Sequence, residues 1–174
     1  MKNSVLLILI LFFGIISNIF PQNTFRSGIF LHHSTGGRIY DYDTYTTSNE
    51  CSTSVPNEIS IYNTSNGYVG TNSVSMNEDW FASSTSGLGN DWYNWHWIFD
   101  NKEPQADIYP YFTNNKIIVI KSCIPSSHMS GYGSADDTTG ANVNAKTVYN
   151  YKWHWRSIVK IMESYPDNFF IIWT

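Results

Sequence analysis

Lys116-Ile117-Ile118-Val119-Ile120-Lys121, then a helical stripe, then Phe169-Phe170-Ile171-Ile172-Trp173: the fold is read from this succession. The first run is β-branched and unbroken by polar alternation, with Asn114-Asn115 before it and Pro125 after it, as suits a strand buried on both faces. A glycine-rich loop, Ser130 to Gly140, follows. Val148, Tyr151, Trp155, Ile158 and Met162 then recur at three- and four-residue steps, which predicts a helix over about 145–164 with one apolar stripe. Lys152, Arg156 and Lys160 fall on the opposite, solvated side. Pro166-Asp167-Asn168 is turn chemistry that stops the helix, and Phe169 to Trp173 is a second buried strand. Strand, helix, strand in this order is a βαβ unit, so the sheet is parallel. A sheet face bare of helices is not stable in water, and the chain is therefore expected to continue beyond Thr174.

Upstream, Ser27 to His33 reads as another short apolar strand, ending in the polar turn His32-His33-Ser34-Thr35-Gly36-Gly37. From Asp41 to about Pro110 no sustained pattern is visible. That length predicts either a long loop-rich insertion or short elements hidden in it. One such element is Asp91 to Phe99, where Trp92, Trp95 and Phe99 fall at helical spacing behind a potential Asp cap.

The N-terminus reads as a secretory signal over 1–22. Lys2 supplies a positive start, Val5 to Phe13 is an apolar run, and Gly14 and Ser17 are small, with cleavage expected between Ser17 and Asn23. The run falls short of the roughly 20 apolar residues of a membrane span, so no stable anchor is expected after cleavage. The protein is expected to be secreted, periplasmic or on the cell surface, with 23–174 forming the N-terminal part of a single α/β domain. Ten Lys and Arg against 14 Asp and Glu give a net charge of -4, and no basic cluster is present. Nucleic acid is excluded as a partner on that ground. Export permits the two cysteines, Cys51 and Cys123, to pair, and a buried free thiol fits each position equally well. Aromatic residues reach 17% while charged residues make up only 14%. That balance suits either a carbohydrate-facing surface or a large aromatic core.

In a parallel sheet the strands end at one edge, and ligands bind in the crevice outside it. The turn at 32–37 and the segment Lys121-Ser122-Cys123-Ile124-Pro125-Ser126-Ser127-His128 are thus expected to face each other. Ser34 is the candidate nucleophile. A serine hydroxyl needs a base, and its attack on an ester needs preorganised donors for the oxyanion. Gly36 and Gly37 permit close backbone approach, and Ser122, Ser126, Ser127 and His128 are candidates for oxyanion or substrate contacts. Without further context Ser34 equally fits a helix cap.

These three segments, His32 to Gly36, Ile118 to Pro125 and Phe169 to Thr174, together resemble exported members of the SGNH, or GDSL-like, hydrolase superfamily. The resemblance implies a three-layer flavodoxin-like α/β fold, a serine nucleophile at Ser34, and cleavage of carbohydrate or other small esters without a cofactor. The family's Gly-Asp before the nucleophile is replaced here by His32-His33, and its Gly-x-Asn-Asp block by Lys121-Ser122-Cys123. Its Asp-x-x-His pair lies near the C-terminus, so the general base is expected beyond Thr174. The alternative is a non-catalytic glycan-binding protein on the same fold. Trp92 and Trp95 are its candidate sugar-stacking residues, with packing in the core as the other reading. No metal site is expected, since no His-x-x-x-His or paired Cys spacing occurs and Asp41 with Asp43, or Asp136 with Asp137, follow no calcium-loop pattern.

Overall fold

The computed structural model describes residues 25–33, 35–41, 54–81, 92–103, 106–122 and 128–173. Four strands form one sheet: β1 (Ser27–Leu31), β2 (Ser75–Asp79), β3 (Ile117–Lys121) and β4 (Phe169–Trp173). Their order is β2-β1-β3-β4 and every pairing is parallel. This is an α/β fold whose strand order is compatible with the flavodoxin-like class.

Side-chain alternation sends Ile29, Leu31, Ile118, Ile120, Phe170 and Ile172 to one face, where they join the main core. The helices α3 (Trp92–Phe99), α4 (Tyr109–Asn114) and α5 (Val148–Met162) supply the rest of that core through Trp95, Phe99, Phe112, Ile158 and Met162. Each fully buried aliphatic side chain contributes about 1.5–3 kcal/mol, so this face carries most of the apolar stabilisation. The opposite face presents Phe30, Ile117 and Val119, packed against Ile39 and Tyr40 of α1 (Gly36–Tyr40) and Val55 of α2 (Val55–Ser65). Helices thus lie on both faces.

The segment 41–110, expected to be a loop-rich insertion or to hide short elements, holds short elements. It contains α2, β2, α3 and α4, and β2 is integral to the sheet. Ser75-Met76-Asn77-Glu78-Asp79 hides from a hydrophobicity reading because it is an edge strand with mostly polar side chains, paired on one side by β1. The helix starting at Trp92 forms as its spacing predicts. So does α5, three residues shorter at its start and two at its end than expected, because Thr147 caps it by accepting from the Asn150 amide at 3.2 Å. Lys152, Arg156 and Lys160 are exposed. The most buried line of α5 is Asn150, His154, Ile158 and Met162: the last two belong to the expected stripe, while Asn150 and His154 are buried in preference to Tyr151 and Trp155.

Candidate active site

The chain leaves β1 for β2 on one side and comes back to β3 on the other. The carboxyl ends of β1 and β3 therefore form a topological switch point, where open α/β sheets bind ligands. The two stretches singled out in the sequence do emerge there side by side. Leu31 is paired with Ile120, and one register step further places His32 beside Lys121 on the face of Phe30 and Val119.

The residues flanking position 34 are held from both neighbouring strands. On the β2 side, His32 Nε2 bonds Glu78 Oε2 at 2.7 Å, and the His32 amide donates to Asp79 O at 3.1 Å. With Glu78 ionised, Nε2 carries the proton. The His32 ring is 1% exposed, tilted over Phe30 at 4.9 Å and edge-on to Trp80 at 5.8 Å. On the β3 side, Lys121 Nζ donates to Thr35 Oγ1 at 3.2 Å and to Ser122 O at 3.0 Å. Lys121 is itself buried, at 4% exposure. Next to this group the Tyr111 hydroxyl donates to Asp79 Oδ2. Burial first, and then that carboxylate, push the Tyr111 phenol well above its ordinary range, so it stays protonated as a donor.

Ser34, Ser126 and Ser127 lie outside the described residues, as do Cys51 and Cys123. Gly36 is placed close to the site, but its amide is already used, donating to His33 O at 3.0 Å. It is therefore not an oxyanion donor here. Its role is steric: a Cβ at this position would lie 2.3–2.6 Å from the His32 side chain. Gly37 is buried in the same turn, and its carbonyl accepts from the Asp41 amide at 2.8 Å. Ser122 sits at the end of β3 with its Oγ buried and carrying no hydrogen bond, which leaves it a donor to offer. His128 is exposed, two residues before the Ser130 amide bonds Lys146 O at the approach to α5.

No family model matches the chain, and neither does any curated protein or solved structure.

Trp92 and Trp95 are not a sugar platform. They are 2% and 0% exposed, and their rings pack on Tyr151 and His154, and on Phe81, respectively. The amphipathic spacing that suggested a helix also turned them inward. His96 and His154 form a buried pair with Nδ1 to Nδ1 at 2.8 Å, remote in sequence from the 32–37 turn. Among the described residues no group of three His, Cys, Asp or Glu is arranged to hold a metal. No described helix is long and apolar enough to cross a membrane.

Sequence reasoning missed Glu78, Thr35 and Lys121. Glu78 was out of reach because β2 was not recognised. Lys121 did leave a signal: a lysine closing an otherwise wholly apolar buried strand.

Proposed function

We propose that the protein is an exported serine esterase of SGNH-like architecture, acting on an ester of carbohydrate or another small extracellular ester. Ser34 is the nucleophile, set in the turn after β1. Ser122 Oγ is the candidate side-chain donor to the oxyanion. The observation that carries this reading is the hydrogen bond from Lys121 to Thr35, which joins the serine-bearing turn to the end of β3 at the switch point. A nucleophile and an oxyanion donor from two different loops need that proximity. The rival reading, a glycan-binding protein, loses its stacking residues with the burial of Trp92 and Trp95.

The test is hydrolysis of p-nitrophenyl acetate and of an acetylated oligosaccharide by the purified protein and by Ser34→Ala. The expected loss is roughly a thousandfold or more, the scale at which a nucleophile's removal is felt. Equal rates for the two proteins, with matching circular dichroism, would refute the assignment.

A further inference from the structure

Trp80 follows β2 directly, so it stands at the carboxyl edge of the sheet, where α/β sheets take their ligands. Its backbone is fixed on both sides. The Asp79 carbonyl accepts the His32 amide at 3.1 Å and the Phe81 amide at 2.8 Å, which makes Trp80 the apex of a three-residue turn. Phe81 enters the main core, stacked on Trp95 at 5.9 Å and edge-on to Tyr111 at 5.3 Å. Trp80 does not follow it, and its side chain is 40% exposed. The indole rests against the rings of His32 and His33, at 5.8 and 5.6 Å. It is thus a large flat ring held in place yet open to solvent.

What borders the indole decides what it can hold. His32 is bonded to Glu78 Oε2 and lies edge-on to Trp80, so a carboxylate, an imidazole and the indole meet at one place. The Glu78 side chain is 31% exposed, and its carboxylate is therefore reachable from solvent. A lipid or a protein partner calls for a wider apolar patch than one indole bordered by ionisable groups. A sugar ring fits this border: its C–H face lies flat on an aromatic ring, and its hydroxyls donate to a carboxylate.

We propose that Trp80, with Glu78 at its border, forms a saccharide subsite at the carboxyl edge of the sheet. It rests on the esterase reading above in taking the bound sugar as the alcohol part of the ester, while the binding itself stands on these residues alone. Trp80 supplies the platform that the buried Trp92 and Trp95 do not.

The experiment is isothermal titration calorimetry of the full chain with unesterified cello-, xylo- and chitohexaose. At least one is expected to bind the wild type, and Trp80→Ala to weaken that binding about tenfold or more. Trp80→Leu keeps apolar bulk but removes the flat face, and should weaken binding as much; Trp80→Tyr keeps a ring and should retain most of it. Urea midpoints show that the variants remain folded. Equal affinity in the wild type and Trp80→Leu, no saccharide bound, or choline bound in place of any saccharide overturns the subsite. Hydrolysis of ethyl acetate by the wild type is read separately. Its absence beside Trp80-dependent binding overturns the esterase and leaves the subsite; its presence without saccharide binding does the reverse.

Discussion

Acid should weaken this fold through the His96–His154 pair, and the size of the effect follows from the geometry. His154 Nε2 donates to Val143 O at 2.8 Å, so its Nδ1 presents a lone pair. That lone pair accepts the Nδ1 proton of His96 at 2.8 Å, and both rings are neutral. Adding a proton to either ring sets N–H against N–H or places a charge among Trp97, Trp153 and Trp92. Burial foremost, then the neighbouring His154, lowers the His96 pKa to about 4, with Asp100 opposing and Lys102 reinforcing the effect. Burial also lowers His154, opposed by its bond to the Val143 carbonyl. Above pH 6.5 folded and unfolded chains both carry neutral His96, and the contribution is complete. As pH falls, the unfolded chain takes up a proton that the folded chain refuses, so stability drains away between 6.5 and about 4 and then levels off. At roughly 1.4 kcal/mol per pH unit the loss from His96 is about 3 kcal/mol. Urea unfolding followed by tryptophan fluorescence at pH 8, 6, 5 and 4 measures it. His96→Gln keeps a donor for His154 but does not titrate, so the wild type should lose about 3 kcal/mol more than this variant between pH 8 and 4. Parallel profiles for the two proteins would refute the buried neutral pair.

Two further substitutions test the packing around the sheet. Gly36→Ala, ordinarily favourable in a helix by up to about 1 kcal/mol, should here destabilise by about 1–3 kcal/mol, because the new methyl meets a His32 ring pinned by Glu78. An unchanged or raised urea midpoint would contradict the close approach. Trp95→Ala should cost about 3–5 kcal/mol, since the ring is wholly buried in the main core. If Trp95→Ala left the stability intact and abolished binding to a polysaccharide, the burial would be wrong and the stacking role restored.

What was legible beforehand follows from what each element buries. β1, β3 and β4 are runs of apolar, largely β-branched or aromatic residues, so they announce themselves as strands. β4, though, is not the buried strand expected: it lies at the edge of the described sheet with Phe169, Ile171 and Trp173 exposed. In α3 and α5 the helical period is written by large side chains that must reach the core. β2 is silent, because an edge strand needs few apolar residues and Met76 alone points into the packed cluster. α2 buries none of its residues, and without a buried stripe its period leaves no trace. In α5 a spacing of tyrosine, tryptophan and aliphatic residues suggested one stripe, while the centre of the helix interface holds Asn150 and His154. These polar residues are accommodated because Asn150 Nδ2 donates to Asn142 O and Ala145 O, and His154 to Val143 O. Of the site, the adjacency of the carboxyl ends of β1 and β3 was readable from strand parallelism. The contact between Thr35 and Lys121 depends on side-chain reach across strands, which no local pattern encodes, although Lys121 is marked as the one polar residue of an apolar buried strand.

The central claim is that the turn after β1 carries a reactive hydroxyl. Labelling of the folded protein with a fluorophosphonate, followed by mass mapping of its peptides, tests that claim directly. A single adduct on Ser34, absent from Ser34→Ala, is the expected result. A protein left unmodified, or one whose adduct sits on another residue, would contradict it.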